Sequence, residues 1–307
     1  MDGDPHPPVR LSPVRRAPSS PACRVCGTRI TRLYRRKLRA PDVASFTPSA
    51  SDFGIFYDLY RCEGCHAVFA AECLSFDALA HEYATSLPDG YMVEEKNRRS
   101  NFRHLTRLIA GYVDPAQPLQ LLDVGASTGL FLDTVRALYP HWRLNGIEAS
   151  SAAVEVCRRL FGLALLHGMF ESAYAIPDAS QDVVTMLDFL EHVANPMLVA
   201  QAAWRCLKPG GILAITTPNI DSWTARIFGP RWWSFRAMHT LYFSPLSMRQ
   251  MLARAGFRIV SMRGLIRLFS LRYCLRHLGW TIRGPRYSLP FPLALGDMLV
   301  IARKEEG

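Results

Sequence analysis

Residues 119–132, with the sequence Leu-Gln-Leu-Leu-Asp-Val-Gly-Ala-Ser-Thr-Gly-Leu-Phe-Leu, decide the fold of this chain. The apolar leucine run predicts a buried strand, and Gly125 and Gly129 allow a tight turn before a helix begins. A strand, a small-residue turn and a helix in this order form the first cofactor-binding turn of doubly wound α/β sheets. We therefore expect four residues of this segment to contact a cofactor: Asp123, Gly125, Ser127 and Gly129.

The spacing of the small residues narrows the class of cofactor. Dinucleotide sites usually carry GxGxxG, whereas Ser127 holds the middle position here, and the sequence contains no GxxxxGK[ST] phosphate loop. These features favour a nucleoside without a phosphate chain, and S-adenosylmethionine fits that description. The next apolar segment, 142–148, ends in Glu148, whose carboxylate can accept hydrogen bonds from both ribose hydroxyls.

Strand and helix patterns alternate through the middle of the chain. A helix is predicted over 196–207, and the other segments that predict strands are 163–166, 182–187, 212–216 and 294–303. This alternation predicts an α/β fold with a mainly parallel sheet and helices on both faces. Met169, Phe170 and Asp188 follow the third and fourth strands, so we expect them near the cofactor.

Four motifs carry a family resemblance: DVGASTG, GIEAS, DVVTMLDFLEHV and LKPGGILAITTPN. In this order they resemble the successive motifs of class I S-adenosylmethionine-dependent methyltransferases, and the arrangement is similar to the ubiquinone and menaquinone biosynthesis group. The resemblance covers about residues 90–303. It implies a Rossmann-like core with a doubly wound, mainly parallel seven-stranded sheet and S-adenosylmethionine as methyl donor. Ser127 replaces the family's usual glycine, and we expect it to tune cofactor affinity.

Two CxxC pairs near the N-terminus predict a small metal-binding module, with the ligands Cys23, Cys26, Cys62 and Cys65. Four thiolates suit tetrahedral structural zinc, and disulfides or inert buried thiols are the alternatives. We favour zinc because no secretory signal is visible and the cytoplasm, where we expect the protein, keeps thiols reduced. His66 is a spare candidate ligand. A zinc-ribbon-like start also resembles a bacterial subgroup that acts on sugars, nucleotide-linked sugars or other secondary metabolites.

Length and composition suit one core with a small added module, since 49% of the 307 residues are apolar. The expected parts are a disordered tail at 1–21, a zinc-ribbon-like module at 22–80, a helical lid or linker at 81–117 and the methyltransferase core at 118–307. A helical insertion at about 265–285 would either cover the sheet edge or rest on an anionic membrane. No apolar run is long enough to predict a transmembrane helix.

The segment after the fifth predicted strand is the expected acceptor side. It contains Thr217-Pro-Asn219 and then His239-Thr-Leu-Tyr-Phe-Ser244, an order that also resembles the zinc-ribbon subgroup. His239 is the candidate general base, with a structural histidine as the alternative. The reaction expected is O- or C-methylation of a small molecule, either a sugar or another secondary metabolite, which could be lipid-linked.

Two other functions stay open at this stage. The net charge of +10 and the cysteine module also suit an RNA methyltransferase. We disfavour nucleic acid as the partner because LDFLEH replaces the Asn/Asp-Pro-Pro-aromatic element of many base-amine methyltransferases. A non-catalytic, zinc-dependent interaction protein on the same scaffold is the third hypothesis, and the intact Gly125, Gly129 and Glu148 argue against it.

Overall fold

The computed structural model describes residues 22–35, 56–70, 95–170, 176–236, 238–271 and 290–305. The tail at 1–21, the module boundary at residue 80 and most of the predicted helical insertion lie outside these residues. The strands are β1 (Ile30–Tyr34), β2 (Leu59–Cys62), β3 (Val68–Ala70), β4 (Gln120–Val124), β5 (Arg143–Glu148), β6 (Leu166–His167), β7 (Gln181–Leu187), β8 (Leu207–Pro218), β9 (Leu241–Tyr242), β10 (Phe257–Gly264), β11 (Arg267–Ser270), β12 (Pro290–Leu293) and β13 (Asp297–Lys304). The helices are α1 (Glu95–Ala110), α2 (Leu130–Leu138), α3 (Ser151–Phe161), α4 (Pro196–Cys206), α5 (Trp223–Phe228) and α6 (Pro245–Arg254).

The central sheet of the described residues has seven strands in the order β10-β13-β8-β7-β4-β5-β6. Strands β4 to β8 pair in parallel, and β13 is antiparallel to both β8 and β10. This arrangement confirms the predicted fold class. The parallel strands align their carboxyl ends at one edge, where ligands bind in open α/β sheets.

Local sequence sets the start of several helices. Asn195 caps α4 by accepting a hydrogen bond from the Leu198 N–H, and Pro196 occupies its first turn. A reciprocal capping box between Ser244 and Ser247 starts α6. These caps satisfy N–H groups that the first turn of a helix leaves without partners.

Apolar side chains pack on both faces of the central sheet, and the cluster on one face also contains Cys23, Cys62 and Cys65. A third cluster, rich in aromatic rings, joins residues 56–70 to residues 220–242. The third cluster contains Phe56, Tyr57, Trp232, Phe235 and Tyr242. A small antiparallel sheet has the order β1-β2-β3-β9, so its last strand comes from the core. The cysteine region is therefore joined to the core by both a sheet and an apolar cluster.

One expectation about the C-terminal insertion is wrong over its described part. Residues 267–270, predicted as helix, form β11 and pair with β12 in an antiparallel ladder. The nearby partner strand supplies backbone hydrogen bonds that outweigh the helical spacing of the arginines. Among the described helices, none is long and apolar enough to cross a membrane.

Candidate functional site

The turn between β4 and α2 has the backbone that its small residues predict. Gly125, Ser127 and Gly129 have φ angles of 74°, 49° and 78°, all in the left-handed region. A Cβ atom on Gly129 would lie 2.2 Å from the Sγ of Cys157, so no larger residue fits there without rearrangement. Ser127 accepts this conformation although it is not glycine, which places backbone strain inside the turn.

Glu148, at the end of β5, holds the turn in place. Its Oε2 accepts a hydrogen bond from the Ser127 N–H and its Oε1 accepts one from the Ser150 N–H, both at 2.8 Å. Burial raises the pKa of Glu148 above its ordinary value, and these N–H groups oppose the shift. The carboxylate therefore lies beside the turn, as expected for a ribose-binding group.

The segment after β6 lies next to Glu148 at the carboxyl ends of the parallel strands. The Gly168 N–H donates to the Glu148 carbonyl oxygen at 2.9 Å, which fixes the chain before Met169 and Phe170. Phe170 is buried and Met169 is partly buried. Both predicted residues thus follow the third parallel strand on the side of Glu148.

Asp123 makes a hydrogen bond inside the sheet, and Thr128 is an additional candidate for contact with the cofactor. The Thr185 hydroxyl donates to Asp123 Oδ1 at 2.6 Å between β4 and β7, and burial raises the pKa of Asp123 to about 7. Asp123 therefore stabilises the sheet below the turn. Thr128 was not singled out from the sequence, yet its buried Oγ1 has no hydrogen-bond partner among the described residues. A buried hydroxyl without a partner is costly, and a ligand with hydroxyl or amine groups could satisfy it.

Asp188 lies at the carboxyl end of β7 in a charged cluster. Two guanidinium N–H groups of Arg267 donate to its carboxylate at 2.6 Å each, and the Thr216 hydroxyl donates at 2.8 Å. Arg267 Nε also lies 3.2 Å from a carboxylate oxygen of Asp297. Burial alone would raise the pKa of Asp188, but Arg267 brings it below its ordinary value. Sequence reasoning missed the role of Arg267 because its strand was taken for a helix.

Glu191, His192 and His239 converge next to this cluster. One donor atom from each lies within 4.8 Å of the others, and the two imidazole centroids are 4.7 Å apart. His239 Nδ1 lies 2.8 Å from the Ser234 carbonyl oxygen, and His192 Nδ1 lies 3.2 Å from that of Met238. Because a carbonyl oxygen only accepts, each Nδ1 carries the proton and each Nε2 keeps its lone pair.

The protonation states follow from burial. Burial lowers the pKa of His192 to about 4 and, with the neighbouring His192, that of His239 well below its ordinary value. Burial also raises the pKa of Glu191 well above its ordinary value, and the charge of Asp188 adds to this. The two imidazoles are therefore neutral near pH 7, and with Glu191 they form a cluster that can accept a proton or bind a divalent metal ion. The sequence alone had suggested an unperturbed histidine.

The four cysteines form a second cluster, about which the small sheet is organised. The Sγ atoms of Cys23 and Cys65 are 3.5 Å apart, and those of Cys26 and Cys62 are 3.4 Å apart. A disulfide needs about 2.05 Å, whereas tetrahedral Zn–S bonds of about 2.3 Å place sulfur atoms roughly 3.8 Å apart. Backbone N–H groups donate to Cys23 and Cys62, as suits thiolates. The donor set therefore fits zinc, and the exposed His66 stands outside it.

Known proteins resemble this chain in sequence. The family described as "Methyltransferase domain" matches residues 93–262, more than half of the chain. A ubiquinone biosynthesis O-methyltransferase of Maricaulis maris is 29% identical over 157 residues, which are 47% of this chain and 61% of that protein. Another, from Cereibacter sphaeroides, is 26% identical over 66% of this chain and 89% of its own length.

Solved structures share the fold. An S-adenosylmethionine-dependent methyltransferase of Thermotoga maritima has a TM-score of 0.50 at 16% identity and covers 75% of this chain and 98% of its own. A chain from the complex of a Haloferax volcanii methyltransferase with the Trm112 methyltransferase activator has a TM-score of 0.53 at 18% identity, covering 76% and 98%. At these identities the likeness concerns the fold of the two chains.

Proposed function

Since this chain belongs to the class I S-adenosylmethionine-dependent methyltransferases, we propose that it methylates a hydroxyl or carbon of a small-molecule acceptor. S-adenosylmethionine is the expected cofactor of the family. The observation that carries the proposal is the meeting of two features at one sheet edge. The strained turn, which Glu148 holds in place, would face the cofactor, and the neutral pair His192 and His239 lies beyond Asp188 at the ends of β7 and β8.

The cofactor would be held by the turn and its neighbours. Glu148 would accept hydrogen bonds from the ribose hydroxyls, and Thr128 Oγ1 would gain the partner that it lacks among the described residues. Met169 and Phe170 would cover an aromatic base after β6. When bound, S-adenosylmethionine supplies a methyl group activated by a positively charged sulfonium. The fit rests on the unpartnered Thr128 hydroxyl and on the left-handed turn that Gly125, Ser127 and Gly129 form.

Methyl transfer to a hydroxyl requires groups that orient the nucleophile and accept its proton. Nε2 of His239 can accept the proton of an attacking hydroxyl, since the Nδ1 proton is held by Ser234. Asp188 and Arg267 hold one another in place at the end of β7 through two hydrogen bonds. Burial keeps the His239 imidazole neutral near pH 7, so the lone pair on Nε2 is available to accept a proton.

A polar acceptor fits this lining best. The exposed carboxylate of Asp188 and the partly buried imidazole of His239 offer hydrogen-bond partners to an acceptor with several hydroxyls. We propose a sugar or hydroxylated secondary metabolite as the acceptor class. The phenolic acceptor class, suggested by the name of the ubiquinone biosynthesis relatives, is the first alternative to test.

We further propose that Cys23, Cys26, Cys62 and Cys65 bind one structural zinc ion. The four Sγ atoms meet within reach of one ion, and the donor set leaves no position for substrate. Zinc would then stabilise the fold of the module. Metal analysis of protein purified without chelator should find zinc, and its loss in Cys62→Ser would support the assignment; metal-free protein with reduced thiols would refute it.

The function is tested first by calorimetric titration with S-adenosylmethionine, using NADH as the control ligand. We expect saturable binding of S-adenosylmethionine and none of NADH. Formation of S-adenosylhomocysteine is then measured with nucleotide-linked sugars, with catechols and with RNA as separate acceptor sets. Turnover on small molecules supports the proposal. Turnover on RNA alone, or no cofactor binding by folded protein, would overturn it in favour of an RNA enzyme or an interaction scaffold.

A further inference from the structure

The cysteine module and the acceptor side share one sheet. Strand β3 follows Cys65 by three residues and pairs with β9, with Val68 opposite Tyr242 and Phe69 opposite Leu241. The Ala70 N–H donates to the Thr240 carbonyl oxygen at 3.0 Å, which extends the ladder by one residue. His239 is the residue directly before this ladder. The backbone that carries His239 is thus hydrogen-bonded to the strand that leaves the second cysteine pair.

Thr240 continues the connection from β9 to His192. Its N–H donates to the Glu191 carbonyl oxygen at 2.9 Å, and its hydroxyl donates to the Val193 carbonyl oxygen at 3.2 Å. The two accepting carbonyl groups belong to the residues directly before and after His192. Because Thr240 is buried, the two hydrogen bonds are shielded from water and fix the spacing between the two imidazoles.

Helix α6 ties the same loop to both cysteine pairs. At its start, the buried Ser244 hydroxyl donates to the Cys65 carbonyl oxygen at 2.7 Å. At its end, a guanidinium N–H of Arg254 donates to the carbonyl oxygen of Val25, which lies between Cys23 and Cys26. Each end of one helix therefore rests on one of the two metal-binding turns. If those turns separate, the helix and the preceding β9 lose their supports.

The hydrogen bonds around the proposed cofactor turn join residues that are close together in the chain. The contacts of Glu148 with Ser127 and Ser150, and that of Gly168 with Glu148, all lie within residues 127–168. None of these hydrogen bonds reaches the cysteine module. Loss of the metal would therefore act on the acceptor side and leave the cofactor turn in place.

We propose that the metal-bound cysteine module is a wall of the acceptor site, which positions His239 and His192 through β3, β9 and Thr240. This inference rests on the proposed function and deepens it. The module thereby sets turnover, whereas cofactor affinity is set by the core. Thr240 is a positioning residue, since it acts through the two histidines.

The first test removes the metal and follows the backbone without needing an acceptor. Cys26→Ser changes the most accessible of the four ligands. We expect loss of one zinc per chain, at least tenfold faster amide exchange at residues 240–242, and an S-adenosylmethionine Kd within about twofold of wild type. Unchanged exchange after zinc loss would overturn the proposal. A parallel loss of cofactor binding would also overturn it, because the module would then support the whole fold.

A second variant avoids the risk that loss of zinc unfolds the module. Arg254→Ala removes the support at Val25 and keeps all four cysteines, while Arg258→Ala removes a nearby exposed arginine as the matched control. We expect Arg254→Ala to lower kcat at least fivefold with zinc content and cofactor Kd unchanged, and Arg258→Ala to change neither. Equal kcat in the two variants would contradict the positioning role. Wild-type protein that binds no cofactor would instead refute the proposed function, while the exchange test would still stand.

Discussion

Replacing Glu148 with glutamine tests the cofactor site most directly. The carboxylate accepts one backbone N–H on each oxygen, from Ser127 and Ser150. Glutamine keeps the size of the side chain but presents an NH₂ group to one of these donors, so one charge-assisted hydrogen bond is lost. Such a bond contributes about 1.5–3 kcal/mol, and about 1.4 kcal/mol corresponds to a factor of ten in affinity. We expect the Kd for S-adenosylmethionine to rise about 10- to 100-fold.

The assay is calorimetric titration with S-adenosylmethionine and with S-adenosylhomocysteine, next to a urea melt of each protein. Glu155→Gln on the exposed face of α3 is the matched control, because Glu155 makes only a surface ion pair with Arg158. We expect the control to bind like wild type. Wild-type affinity in folded Glu148→Gln would refute both the ribose assignment and the role of this carboxylate in shaping the turn.

Other outcomes follow from the same geometry. His239→Ala should lower kcat by about 10²- to 10⁴-fold and leave the cofactor Kd unchanged. His141→Ala is the control, because it removes an exposed imidazole, and it should leave kcat unchanged. If the kcat of His239→Ala lies within threefold of wild type, His239 has a structural role. In urea melts, Gly129→Ala should lower the free energy of unfolding by about 2–5 kcal/mol, because alanine is strained in the left-handed conformation and its Cβ would overlap Cys157. Gly162→Ala is the control, since Gly162 is also left-handed but has open space around it, and it should lower the free energy of unfolding by about 1–2 kcal/mol. Equal losses in the two variants would show that the contact with Cys157 is absent. Burial lowers the pKa of His192 to about 4, so the unfolded chain binds this proton first and the histidine contribution to stability falls as pH drops below about 6.5. The raised pKa values of Asp123 and Glu191 contribute with the opposite sign, so the histidine contribution is measured against His192→Gln. Between pH 7 and pH 5 the urea midpoint of wild type should fall more, or rise less, than that of His192→Gln; equal changes in the two proteins would contradict this.

The sheet and the turn between β4 and α2 could be predicted because their signals are local. Residues 119–132 contain a strand, a turn and the start of a helix without interruption, and Glu148 lies 21 residues beyond Ser127, to which it bonds. Periodicity identifies such segments. Their boundaries were less accurate: the predicted strand at 212–216 is part of the longer β8, because its pairing with β13 extends from Ile212 to Pro218.

The acceptor side could be predicted only in part. His239 was singled out from its motif, but its neutral state depends on packing against His192, which lies 47 positions earlier in the chain. Arg267 is 79 residues from Asp188, and its strand was predicted as a helix. Spacing along the chain carries no information about such pairs, because they form only when the sheet brings distant segments together.

This difference in sequence separation divides the molecule into two kinds of site. The hydrogen bonds around the proposed cofactor turn close loops of about twenty residues, whereas Ser244 contacts Cys65 across 179 residues and Arg254 contacts Val25 across 229. Closing longer loops costs more chain entropy, so contacts of this kind need additional stabilisation. The zinc ion that we propose for the four thiolates would supply such stabilisation where the cysteine module meets the core. A metal module at this position therefore has a physical reason to accompany an acceptor site assembled from distant segments, while the cofactor turn needs none.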